Sequence, residues 1–277
     1  MQEWLNEAIA FYDLEEYRPQ IEACADQMAG LWDGFFAAVK LFTESDNAAF
    51  STLWGKRNKE ELFGCPMPKF STNLLLLAGM KTHQENMKKY PFGEEQCAIQ
   101  RMRVKKAFLF DYERLGEASV SQTVWGYHFI RGIMVEGERL QFQRAGERKY
   151  YLHIPRGGRM DKDSVLRSLE QGRTLIRTVY GEENPAFYCN SWLLSPEVLA
   201  LCKPESNMAF FGSLFDITPA EADGRGSLFN FLYNDPDCTD MTKLPEDTSL
   251  RKTVKEHLLK GEIFHVGMGH LKRDGSF

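Results

Sequence analysis

A chain of 277 residues that is 43% hydrophobic and 13% aromatic can bury one or two cores, and it is neither disordered nor fibrous. Its formal charge of −5 excludes a general nucleic-acid binder, whose affinity comes mainly from neutralising phosphates. The six cysteines form no CxxC pair and the six histidines no HxxxH or HExxH spacing, which fits reduced thiols and argues against a metal site. The longest apolar run, Leu74 to Gly79, is too short to span a membrane, and no stretch resembles a signal peptide, so the expected location is cytoplasmic.

The first part of the chain, to about Ala118, reads as helical. Ile21, Cys24, Met28, Leu31, Phe35, Val39 and Phe42 fall on one face at spacings of three and four and predict a helix after Pro19. Further helices are expected over Ala48 to Leu62, Leu74 to Tyr90 and Glu94 to Phe110, separated by proline and glycine breakers. Trp4, Trp32 and Trp54 are read as core aromatics. After Gly116 the pattern turns to alternation, and Phe129, Ile133, Val135, Leu140 and Phe142 predict a hairpin around Gly132 to Gln143.

The stretch Lys149 to Trp192 reads as strand, glycine turn, helix and strand. Tyr150 to Ile154 form the first strand, and Pro155, Gly157 and Gly158 end it. From Asp161, a candidate N-cap, Val165, Leu169, Gly172, Ile176 and Val179 recur at helical spacing, and Gly181 terminates the helix. A second strand covers Ala186 to Asn190. The turn aims backbone N–H groups and a helix N-terminus at one point, a geometry suited to phosphate. Charge agrees: Arg139 to Arg177 holds ten Lys or Arg against four Asp or Glu, a local +6. Beyond it come a short helix from Ser195, strands over Met208 to Ile217 and Ser227 to Tyr233, a helix over Asp247 to Lys260, and a last strand over Ile263 to Leu271. The expected class is α+β, a helical domain over residues 1–118 followed by a mixed, mostly antiparallel sheet with flanking helices over 119–277.

LHIP at Leu152 to Pro155, SWLL at Ser191 to Leu194, SN at Ser206 and Asn207, and DTSLR at Asp247 to Arg251 come in this order in the second part. The succession resembles bacterial two-domain acyltransferases, with a helical N-acyltransferase N-terminal domain and a GNAT-like C-terminal domain. That resemblance implies a central strand that splays from its neighbour to admit acetyl-CoA or another acyl-CoA as co-substrate, with the pyrophosphate at the start of the following helix. The cofactor-binding candidates are Ile154, Arg156, Gly157, Gly158 and Arg159. Here the turn departs from the superfamily's usual Q/R-x-x-G-x-G/A spacing, supplying the glycines and the charge in another order.

Amine acylation needs a base for the amine, a donor that polarises the thioester carbonyl, and a proton for the leaving thiolate. His153 is the candidate base, the N–H groups near Ile154 the polarising donors, and Ser191 or Cys189 the proton source. Each has a plainer reading: an interior histidine, a capping serine, an apolar filler cysteine. Cys189 with His153 would also permit a cysteine acyl-transfer or hydrolase site, but no helix N-terminus follows Cys189 to lower its pKa. The reading is therefore an acyl-CoA-dependent N-acyltransferase acting on a small amine, with no metal, nucleic acid or membrane involved; the rival is a non-catalytic binding or regulatory protein on the same fold.

Overall fold

The computed structural model describes residues 2–45, 61–62, 65–66, 71–113, 120–155 and 157–272. Backbone contacts group into two compact units: Met1–Val135 with Thr178–Gly181, and Glu136–Arg177 with Glu182–Phe277. The domain boundary expected near residue 118 lies outside the described residues, as do Trp54 and most of the helix expected over Ala48 to Leu62.

The first unit is helical: α1 (Gln2–Phe11), α2 (Arg18–Asp26), α3 (Trp32–Glu44), α4 (Ser71–Ala78), α5 (Met80–Lys89), α6 (Gly93–Glu113) and α7 (Val120–Ile130), with a small antiparallel ladder of β1 (Glu61–Leu62) and β2 (Cys65–Pro66). Ile21, Phe35, Phe42, Leu75, Phe108 and Phe129 are among its buried core. Trp4 and Trp32 pack against that core edge to face, with ring centroids 6.3 Å apart, as read from the sequence. The long helix expected through Ile21 and Phe42 is two helices, because Gly30 adopts a left-handed φ of +80° that breaks the run before Trp32. The alternation expected from Phe129 is also overturned: Val120–Ile130 is helical. Tyr127, His128, Phe129 and Ile130 are all buried, so this end of the helix has no polar side to give it a visible period. Gly126 lets it lie close on α4, since a Cβ there would stand 2.6 Å from Leu76 Cδ2.

The second unit is built on the strands β4 to β8 of a six-stranded sheet whose order is β3 (Met134–Glu136), β4 (Gln141–Gly146), β5 (Lys149–His153), β6 (Ala186–Ser191), β8 (His265–Leu271), β7 (Phe215–Asp223). The pairings given for β4 to β8 are antiparallel except β5 with β6, which the helix α8 (Lys162–Tyr180) connects. Asp161 caps α8 as expected, its Oδ1 accepting from Ser164 N at 3.0 Å. The helix lies on the sheet where Gly172 faces Phe142; a Cβ at 172 would stand 2.2 Å from the ring. Three further helices follow, α9 (Pro196–Ala200), α10 (Asn207–Ser213) and α11 (Ser249–Leu259).

Two predicted strands are corrected here. Met208 to Ser213 belongs to α10, because the Ser206 hydroxyl accepts from Ala209 N at 3.2 Å and starts a helix; the strand begins only at Phe215. Ser227 to Tyr233 is mainly a π-helical turn over Leu228–Leu232, whose buried Leu228 and Leu232 join a core with Val254 and Leu258. Among the described residues no helix is long and apolar enough to cross a membrane.

Candidate acyl-donor site in the second unit

The site begins with how β5 and β6 run together and then part. Lys149, Tyr150 and Tyr151 pair in register with Ala186, Phe187 and Tyr188. Past Tyr151 the pairing stops, although β5 continues to His153 and β6 to Ser191, and Cys189, Asn190 and Ser191 pair instead with Gly269, Met268 and Gly267 of β8. Beyond Tyr151 and Tyr188 the two strands no longer pair with each other, and a gap opens between their carboxyl ends. A gap between the carboxyl ends of two parallel strands is a ready site for a ligand that can itself hydrogen-bond like a strand.

The other end of this gap is fastened. Glu182, 9% exposed, accepts from Tyr150 OH at 2.8 Å, from Arg148 N at 2.7 Å and from Arg144 Nε at 2.9 Å, and Arg144 Nη2 adds a further contact. Burial raises its carboxyl pKa, but the Tyr150, Arg144 and Arg148 hydrogen bonds outweigh that and hold it below the ordinary value. This network ties β4, β5 and the entry to β6 together where the strands are still paired.

Beyond the open end comes the glycine turn. Gly157 and Gly158 have left-handed φ of +87° and +69°, are exposed, and keep the backbone bare: a Cβ on Gly157 would meet nothing within 4 Å. Arg159 is exposed beside them, and Arg156 lies outside the described residues. The turn is held by a residue that the sequence reading counted only as charge. Arg139 donates from Nη1 to Pro155 O at 2.9 Å and from Nε to Arg159 O at 3.2 Å, so one guanidinium spans both ends of the loop. Arg139 is positioned in turn by α8: its own N–H and that of Leu140 donate to the buried Ser168 hydroxyl at 3.1 and 2.8 Å. A Cβ at Gly137 would be 2.7 Å from that hydroxyl, which is why the turn before Arg139 needs glycine.

The predicted chemical residues fall in different surroundings. His153 is half-buried, its Nε2 2.8 Å from Gln143 Oε1 on β4, and burial pushes its pKa down to about 4, which keeps the ring neutral at pH 7. The Ser191 hydroxyl accepts from Leu193 N at 3.2 Å and so caps the turn Trp192–Leu194, the plainer reading considered for it. Cys189 is fully buried and burial raises its thiol to about 12. Such a thiol is neither a nucleophile nor a ready proton donor, so in this fold Cys189 fills the core. Alternation along the strands places Ser191 and Cys189 with Leu152 on the α8 face of the sheet, and His153 with Tyr188 on the other. Ser191, expected just after the strand next to that of His153, is the last residue of that strand, and its side chain is on the opposite face from His153. Among the described residues no group of three His, Cys, Asp or Glu could hold a metal ion.

The same architecture occurs in solved proteins. An acyltransferase in complex with CoA and 10C-teicoplanin superposes with a TM-score of 0.73 at 19% identity, over 96% of this chain and 87% of that one. An acyltransferase in complex with decanoyl-CoA gives 0.70 at 20% identity over 89% and 79%, and a mutant acyltransferase in complex with octanoyl-CoA gives 0.74 at 20% over 96% and 87%. At these identities the likeness speaks for the fold. No curated protein matches the chain. The GNAT-like C-terminal domain family matches residues 95–271, well over half of the chain and all of the sheet described above, so the chain belongs to that family.

Proposed function

We propose that this protein is an acyltransferase that moves an acyl group from an acyl-CoA to a small acceptor amine by direct attack. The observation that carries the reading is the parting of β5 and β6 directly before a bare glycine turn that opens α8. A pantetheine arm is an extended diamide and can lie in the gap between the parted strands as a strand would. The pyrophosphate then falls at the N–H groups of Gly157, Gly158 and Arg159, with Arg156 adding charge. The solved proteins of the same fold are complexes with CoA, octanoyl-CoA and decanoyl-CoA, two of them also with teicoplanin or 10C-teicoplanin, which supports both the donor and a small-molecule acceptor. The sequence leaves the donor as acetyl-CoA or another acyl-CoA, and the longer chains in those complexes make chain length a variable of the test.

In this scheme the N–H of Ile154 polarises the thioester carbonyl and His153, neutral at pH 7, takes the proton of the attacking amine. Its hydrogen bond to Gln143 fixes the ring. Ser191 stands on the β6 side of the gap, where its hydroxyl proton is directed away from the Leu193 N–H that it caps. The setting is proposed to be the cytoplasm, where acyl-CoA is made.

A second reading, a binding protein without turnover, is favoured by the burial of His153 and its engagement with Gln143, which together make it a weak base. One experiment separates the two. CoA and acyl-CoAs from acetyl to decanoyl are titrated by calorimetry, and thiol release is followed over a panel of amines with wild-type protein and His153→Gln. Acyl transfer predicts binding, amine-dependent thiol release, and a loss on the order of 100-fold or more in kcat for a folded variant. Binding without thiol release for any amine would establish the second reading, and no binding of any CoA species would refute both.

A further inference from the structure

The acyl transfer proposed above needs a proton for the departing sulfur, and neither Cys189 nor Ser191 supplies it. The Cys189 thiol is sealed in the core, and a serine hydroxyl can relay a proton but is too weak an acid to be its source. A different group lies at the same edge of the sheet. His265, the first residue of β8, presents Nδ1 to Glu197 Oε1 at 2.7 Å, and its own backbone N–H donates to Glu197 Oε2 at 3.1 Å. The Ser195 hydroxyl donates to that second oxygen at 2.8 Å. Glu197 is thereby gripped from three directions at the first turn of α9. Burial acts to raise its pKa, yet the bonds from His265 and Ser195 bring it down to about 2, so it stays a carboxylate.

The arrangement fixes the histidine. A carboxylate can only accept, so Nδ1 carries the hydrogen and Nε2 is the ring atom left to exchange a proton. Nε2 has no hydrogen-bond partner among the described residues, and the side chain is 31% exposed. The serine is bonded to the glutamate and not to the imidazole, so this is an orienting network and not a nucleophilic triad.

Its place in the sheet follows from register. Ser191 of β6 stands opposite Gly267 of β8, and His265 lies two residues on, hence on the same face and just past the open end of the gap. That face also carries α8, which starts from the glycine turn. Two glycines keep the network there. A Cβ on Gly267 would lie 1.9 Å from Leu194 O, and one on Gly269 2.5 Å from Leu194 Cδ1, so only a bare β8 lets the Trp192–Leu194 turn and α9 sit down and deliver Glu197 to His265. His153 is on the opposite face. The two histidines thus lie on opposite faces of the sheet, His153 on β5 and His265 on β8 across β6.

We infer that His265, oriented by Glu197, is the acid that protonates the CoA thiolate as it leaves, which makes His265 catalytic and Glu197 a positioning residue. The amine nitrogen bonds to the thioester carbon and its proton passes to His153. The carbon–sulfur bond then breaks with its electron pair on sulfur, and sulfur takes the proton of His265 Nε2. Solvent carries a proton from His153 back to His265, and the sum is amine plus acyl-CoA to amide plus CoA. The charged groups around His265 are Glu197 on α9 and, opposite it in register on β7, Asp223, itself paired with Arg225 at 2.6 Å.

This inference rests on the acyl-CoA reading, and its test works without knowing the acceptor. The ionisation of the thiol of bound CoA is followed by thiolate absorbance against pH, for wild type, His265→Gln and Glu197→Gln. An imidazolium beside the sulfur stabilises the thiolate, so wild type should ionise the bound thiol at least about tenfold more readily than free CoA, and His265→Gln should return it to the free value. Glu197→Gln should fall between the two. In turnover, His265→Gln should lose on the order of 100-fold in kcat at unchanged KM for acyl-CoA, along with the alkaline limb of the pH profile. Identical thiol ionisation in wild type and a folded His265→Gln that both bind CoA would overturn the inference while leaving acyl transfer standing. Failure of wild type to bind CoA would overturn both. Should His265→Gln not fold, Glu197→Gln decides: a bound thiol that ionises as in wild type counts against the role.

Discussion

Arg139→Gln offers the sharpest perturbation of the donor site, because one side chain holds the glycine turn at both ends. The change removes two charge-assisted bonds, 2.9 Å to Pro155 O and 3.2 Å to Arg159 O. It leaves the backbone anchor of residue 139 to Ser168 in place. Hydrogen bonds involving a charged group contribute about 1.5–3 kcal/mol each. The turn is exposed at Gly157 to Arg159 and glutamine keeps one donor, so the net loss should be near one such bond, about 1.5–3 kcal/mol. In the free protein the turn merely loosens. In the complex it must be ordered again, so the loss enters the affinity, about 10- to 100-fold in Kd for CoA by calorimetry. Arg167→Gln is the control for charge. Arg167 sits on α8 in an exposed pair with Glu138, and such pairs contribute about 0–1 kcal/mol. An equal loss in both variants would mean that general positive potential binds the anion and the shape of the turn does not. An unchanged Kd in a folded Arg139→Gln would refute the placement of the pyrophosphate.

Three further outcomes test the scaffold. Gly172→Ala should cost about 1–3 kcal/mol, because its Cβ would stand 2.2 Å from the Phe142 ring and α8 must lift from the sheet; a thermal midpoint unchanged from wild type would contradict that packing. Glu182→Ala should cost about 1.5–3 kcal/mol, since it removes the carboxylate that accepts from Tyr150 OH, Arg144 and Arg148 N at the paired end of β5 and β6, and denaturant unfolding reads it directly. His83, buried and bonded through Nδ1 to Tyr12 OH at 3.0 Å, has its pKa pushed by burial from 6.5 down to about 3. The unfolded chain binds the proton first, so stability should fall as pH drops below about 6.5, by up to about 1.4 kcal/mol per pH unit, and His83→Gln should flatten that slope between pH 6.5 and 3.

Much of this architecture was legible because local signals and tertiary packing agreed. Asp161 and Gly181 bracket α8 as a cap and a left-handed terminator, and Tyr150, Leu152 and Phe187 are apolar on the face that the helix covers. Where they disagreed the reading failed. The run from Met208 is aromatic and looks like a strand, but the Ser206 cap acts first and α10 forms. Gly126–Ile130, the end of the helix Val120–Ile130, is buried at every position and shows no helical period. In the site itself, the parting of β5 from β6 is a property of pairing, which no run of residues records. Arg139 precedes β4 and His265 opens β8, so only the folding of the sheet brings the one to the glycine turn and the other to Glu197. The one hint of them was glycine at 137, 267 and 269, each placed where a side chain would strike a neighbour.

The central claim, that acyl-CoA lies between β5 and β6 with its phosphates at the glycine turn, is tested most directly by amide hydrogen exchange with and without octanoyl-CoA. Slowed exchange is expected at Leu152 to Ile154, at Gly157 to Asp161 and at Asn190, which surround the gap and the turn that the ligand would cover. Binding that protects other segments while these amides exchange as before would contradict it.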